Sequence, residues 1–92
     1  MTVKQAWKEC FHTDITDNNS VKTVKKKKYN AMYDIAFEHP NGNWDETEFD
    51  IRGYMTEAEV VEELDQLFKD FCEENGFQED SVISIRYAGP IR

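Results

Sequence analysis

The sequence predicts a single α+β domain with elements in the order α-β-β-α-β. Three observations lead there. Apolar residues recur at helical spacing near the N-terminus and again after Met55. Between these stretches the apolar pattern has period two, on both sides of a turn signal, His39-Pro40-Asn41-Gly42. A further short alternating stretch closes the chain at residues 81–87. At 92 residues the chain is one domain. A domain of this size buries roughly 60–65% of its unfolded surface, enough for one modest core.

The first helix is expected over Thr2 to His12. Val3, Ala6, Trp7, Cys10 and Phe11 make one apolar stripe, and Thr2 with Gln5 forms a capping box. Asp14 to Ser20 reads as a polar loop. From about Val21 a strand begins in which Tyr29, Ala31, Tyr33, Ile35 and Phe37 share a face. Thr47, Phe49 and Ile51 form the apolar face of the second strand, and Glu46, Glu48, Asp50 and Arg52 form its other face. Parity selects the hairpin register. A two-residue loop puts Tyr33 opposite Asp50 and mixes the faces. A three-residue loop, Pro40 to Gly42, puts Ile35 opposite Thr47 and Tyr33 opposite Phe49.

The long helix starts at Thr56, which caps it with Glu59, while Met55 and Val60 occupy the hydrophobic-staple positions. Val60, Val61, Leu64, Leu67, Phe68 and Phe71 form its buried stripe, with Cys72 at the margin. Gly76 suits a left-handed C-terminal residue, and Phe77 folds back on the last turn. Ser81 to Tyr87 is the third strand, with Ile83, Ile85 and Tyr87 on one side and Gly89-Pro90 as its end. A crossover through the long helix returns this strand beside the first. The expectation is a three-stranded antiparallel sheet of order 2-1-3 with helices packed on one face.

Charge is distributed unevenly. Residues 34–80 hold sixteen Asp and Glu against two basic residues, Arg52 and Lys69. Residues 1–28 carry a net +4, residues 29–92 a net −12, and the whole chain −8. Such imbalance speaks to partners rather than to fold. On the long helix Glu59, Glu62, Asp70 and Glu73 point away from Leu64, with Glu63, Asp65 and Glu74 at the flanks. Glu59 to Glu73 spans about 21 Å, a length over which duplex DNA carries roughly 12 phosphate charges. Seven carboxylates lie between Glu59 and Glu74. Asp45, Glu46, Glu48 and Asp50 on the second strand add to this density if that strand adjoins the helix. Like charges at i, i+4, such as Glu59 with Glu63 and Asp70 with Glu74, each cost a few tenths of a kcal/mol. A face that accepts repeated small costs suggests a use, and the use expected is a basic partner. The plainer reading is a solvated acidic face that keeps the protein soluble.

Other features carry less. Lys25 to Lys28 reads as a solvated strand end or an intramolecular partner for the acidic helix. Trp44 shares parity with the acidic strand face. With Tyr54 it is either an exposed interface anchor or a cover for a sheet edge. Cys10 and Cys72 read as reduced thiols in apolar surroundings, although a bridge between them remains open. A lone Cys10-x-His12 lacks the second pair a zinc site needs, and Asp14 with Asp17 resembles a calcium loop only superficially. No nucleophile elbow, phosphate-binding glycine loop or Ser/His/Asp constellation is present, so the chain reads as non-enzymatic and without cofactors. No apolar run reaches membrane-spanning length and no signal-peptide region opens the chain, so a cytoplasmic location and no membrane partner are expected.

In size, in acidity and in the acidic run Glu57 to Glu74, the chain resembles the small DNA-mimic proteins that phages make. That class includes inhibitors of uracil-DNA glycosylase, of host RNA polymerase, of CRISPR nucleases and of the nucleoid protein HU. The resemblance is one of class, and the lysine run departs from a uniformly acidic mimic. It implies a decoy that occupies the DNA-binding surface of a basic host protein, with an HU-type protein favoured, in the host bacterial cytoplasm and without direct contact to nucleic acid. Monomer and homodimer both stand. The alternative is an adaptor that binds through an aromatic patch around Trp44 and Tyr54, with the acid serving solubility.

Overall fold

The computed structural model describes residues 1–12 and 24–92. The expected loop Asp14–Ser20, the start of the first strand at Val21, Lys22 and the Asp14/Asp17 resemblance to a calcium loop lie outside the described residues. The elements are α1 (Val3–Phe11), β1 (Lys27–Glu38), β2 (Trp44–Met55), α2 (Glu57–Asn75) and β3 (Val82–Pro90). The sheet is antiparallel with order β2-β1-β3, as the sequence predicts.

Both helices start as their capping residues dictate. Thr2 and Gln5 satisfy each other's backbone amides at the head of α1, and Thr56 and Glu59 do the same for α2. Gly76 ends α2 in the left-handed conformation, with the Phe77 N–H donating to the Cys72 carbonyl at 3.0 Å. The hairpin adopts the register that parity selects, with Ile35 opposite Thr47 and Tyr33 opposite Phe49. Its turn closes through Gly42 N–H to the His39 carbonyl at 3.0 Å, and Gly42 takes φ +88°.

The core lies between the sheet and the two helices. Ile35, Ile51, Val60, Val61, Leu64 and Phe68 have no exposed surface. Odd-numbered residues of β1 face the helices: Tyr33 meets Trp7 of α1, and Phe37 meets Phe68 and Phe71 of α2. Both helices therefore pack on one face, and even-numbered residues of β1 and β2 line the other, helix-free face.

The third strand departs from its expected pattern. Register shifts interrupt the β1–β3 ladder between Met32 and Tyr33 and between Ala36 and Phe37. The second shift puts Val82, not Ile83, opposite Phe37. Val82 is buried and Ile83 is exposed. A bulge inserts one residue and reverses parity beyond it, so simple alternation assigns Ile83 to the wrong side. Pairing also continues past the expected end, with Pro90 opposite Ala31.

Candidate partner-binding surface

The two sheet edges are finished differently. At the β3 edge the Met1 amino group donates to the Asp80 and Val82 carbonyls at 2.7 and 3.0 Å, and the Val82 N–H donates to the Met1 carbonyl at 2.8 Å. Further along, the Ile85 N–H donates to Cys10 Sγ at 3.4 Å. At the β2 edge β1 is the only strand neighbour among the described residues.

The acidic residues fall into rows on either side of that β2 edge. Glu46, Glu48 and Asp50 are exposed on the helix-free face, together with Glu38 and Trp44. On α2 the angular positions of Glu59, Glu63, Asp70 and Glu74 fall within about 60° of one another. All four are exposed, and none makes an ion pair among the described residues. This stripe lies on the flank of α2 away from α1, beyond Phe71, whose ring meets Phe49 of β2 with centroids 6.3 Å apart. Glu62 sits on the α1 side, bridged to Lys4 at 2.6 Å, and Glu73 lies near it on the outermost surface. Helix and strand carboxylates thus do not form one ridge. They form two rows on separate layers of a body 40 × 30 × 19 Å in extent, with the β2 backbone between them.

Two expected site residues behave differently from the rest. Asp65 was expected at the flank, open to a partner, but its residue is only 9% exposed and its carboxylate is bound by Lys69 at 3.1 Å. It lies on the same side of α2 as Cys72, at the border of the core, where a carboxylate persists only with a cation or donors around it. Asp45 points to the helix side of the hairpin end, near His39 at 3.7 Å, and is exposed. Its Oδ1 accepts the Glu46 amide at 2.8 Å.

The strand row is partly compensated. Register places Asp34 opposite Glu48, and the Arg86 guanidinium binds Asp34 and approaches Glu46 at 3.9 Å. Arg52 lies 3.8 Å from Asp50. Arg86 was not expected at this surface; it stands opposite Asp34 in the regular part of the β1–β3 ladder, where alternation with Ile85 and Tyr87 turns it to the helix-free face. Glu59 is held below the usual carboxylate range by hydrogen bonds to the Thr56 backbone and side chain, with Lys26 nearby contributing.

Charge is also sorted along the sheet. The hairpin end gathers Glu38, Asp45 and Glu46, and the end of α2 and the turn beyond it bring Glu73, Glu74, Glu79 and Asp80 alongside. The opposite end holds Lys25 to Lys28, Arg52 and Arg92, all exposed. Lys27 lies over the Tyr29 ring at 5.1 Å, while the ion pairs to α2 among the described residues come from Lys4 and Lys69. Trp44 and Tyr54 are 64% and 69% exposed but ten residues apart on one strand, about 33 Å. They do not form one aromatic patch.

Both cysteines are free thiols. Burial and then the Glu79 charge push the Cys72 thiol up to about 11. Among the described residues no group of three or more His, Cys, Asp or Glu side chains is placed to hold a metal ion, and no helix is long and apolar enough to cross a membrane. No family model matches the chain, and comparison with curated proteins and with solved structures finds no similar protein.

Proposed function

We propose that this protein is a non-enzymatic acidic DNA mimic that occupies the basic DNA-binding surface of a host protein, an HU-type nucleoid protein being the favoured target, and so blocks DNA. The observation that supports this reading is the α2 stripe. Glu59, Glu63, Asp70 and Glu74 run along about 22 Å of helix without an ion pair among the described residues. Glu59 caps the helix and Asp70 accepts from the Gln66 amide at 2.9 Å, but folding gains nothing evident from placing all four on one stripe, since repulsion at i, i+4 opposes it. A second row across the β2 edge, Glu46, Glu48 and Asp50 at about 6.8 Å intervals, gives two lines of negative charge flanking a shallow strip of backbone. Two lines of negative charge are what a protein that grips duplex DNA meets. The adaptor alternative loses its proposed patch through the separation of Trp44 and Tyr54.

The test is competition. Labelled duplex DNA is bound to a purified HU-type protein and the acidic protein is titrated in, with fluorescence anisotropy as readout. Release of DNA is expected, and the triple variant Glu63→Lys, Asp70→Lys, Glu74→Lys is expected to lose it while keeping its helical circular dichroism. DNA that stays bound, or a triple variant as effective as the parent, sinks the proposal for this target.

A further inference from the structure

We infer that the outer edge of β2 docks an extended basic segment of the partner as an added antiparallel strand. The inference deepens the basic-partner reading by naming how the partner's backbone is held.

Backbone bonding fixes which groups are free. His39 N–H donates to the Asn43 carbonyl at 2.6 Å. The odd-numbered residues of β1 and β2 are therefore the pairs that exchange hydrogen bonds in this ladder. The β1–β3 contacts agree, because Glu38 N–H reaches the Ser81 carbonyl and Ile91 N–H reaches the Asn30 carbonyl. The even residues of β2, from Glu46 to Arg52, consequently turn their N–H and C=O groups outward. Among the described residues the Glu46 amide alone of these has an acceptor, Asp45 Oδ1. The amides of Glu48 and Asp50 and the carbonyls of Glu46, Glu48 and Asp50 remain available to an added strand. The β3 edge, by contrast, is closed by Met1 and Cys10.

The same residues specify the occupant. A strand paired with this edge places its hydrogen-bonding residues directly opposite Glu46, Glu48 and Asp50, on the same face as their carboxylates. Lys or Arg satisfies those positions. The alternate residues fall beside Thr47 and Phe49, both half-buried, on the helix side, and apolar side chains suit them. The segment therefore alternates basic and apolar residues. A second copy of this chain is a poor occupant. Antiparallel self-pairing centred on Glu48 sets Glu48 against Glu48 and Glu46 against Asp50, and like charges directly opposite are destabilising.

The test uses the full chain, isotope-labelled for NMR, and three capped peptides that alternate lysine and valine over seven residues: unmodified, N-methylated at the lysine amides, and N-methylated at the valine amides. Lysine amides face β2 in the inferred pairing and valine amides face away. The unmodified and valine-methylated peptides are expected to bind and to slow hydrogen exchange at Glu48 and Asp50 by about tenfold or more. The lysine-methylated peptide, with its charge intact, is expected not to bind. Glu48→Pro removes an outward amide without touching the β1 ladder, so it should keep the fold and lose the peptide. Equal binding of all three peptides overturns strand docking while leaving a basic partner in place. Binding of none overturns it as well. A dimer in sedimentation that Glu48→Pro dissolves overturns it in favour of a second copy.

Discussion

The Trp7 indole N–H donates to the Glu57 carboxylate at 3.0 Å, joining α1 to the first turn of α2 across 50 residues of chain. Trp7 is also packed on Phe11 and Tyr33, so one residue ties both helices to the sheet. Trp7→Phe keeps most of the apolar contact and deletes the charge-assisted bond. It should cost about 2 kcal/mol, seen as a lower urea midpoint at unchanged slope. An unchanged midpoint would show that the bond adds nothing to stability.

Phe37 stands at the centre of an aromatic cluster formed with Phe68, Phe71, Phe77 and His39. Its truncation opens a cavity where four elements or turns converge. Phe37→Ala should cost roughly 3–5 kcal/mol, a large share of the total stability of a small domain. Thermal unfolding by circular dichroism checks this: the variant should melt far below the parent or not fold.

Alkaline pH should destabilise the protein. The Cys72 thiol is pushed from an ordinary value of 9.0 to about 11 by burial and by Glu79. The Tyr33 phenol is pushed from 10.0 to about 12 by burial first, then by Tyr29, Tyr87 and Glu57. Each group is held protonated in the folded state and ionises earlier in the unfolded chain. Stability is thus complete below about pH 9 and falls as pH rises toward 12. The melting temperature should decline over that window, and Cys72→Ala should flatten its lower part. A flat profile from pH 8 to 11 would contradict these environments.

If the acid rows engage a basic surface, complex formation should respond to ionic strength. Going from about 0.01 to about 0.1 M shortens the screening length from roughly 30 to 10 Å. Association should slow by about tenfold or more, with dissociation less affected. Surface plasmon resonance against the target separates the two rates. Removing the strand row with Glu46→Gln, Glu48→Gln and Asp50→Asn should reduce the salt dependence less than removing the helix row, because Arg86 and Arg52 already compensate part of the strand row.

The hairpin and both helix starts were legible because local chemistry agrees with global packing there. Parity alone selects the register, and the Thr2/Gln5 and Thr56/Glu59 pairs mark the helix starts to the residue. The third strand was less legible, since a bulge between Val82 and Ser84 leaves no mark that period two can read. Asp65 looked like its acidic neighbours because angular position cannot separate a solvated flank from the rim of a core; its partner Lys69, one turn on, was the available signal. The division of the acids between two layers follows from which strand face the helices cover and from which flank of α2 meets β2. Those are tertiary facts, and the spacing of Glu and Asp along the chain does not contain them.

The sorting of charge along the sheet has a kinetic consequence. With lysines at one end and the hairpin acids at the other, the molecule carries a large permanent dipole along its length. In the field of a positively charged body it experiences a torque as well as a pull. It turns like a compass needle while still separated by solvent, and it arrives hairpin first with its lysines trailing.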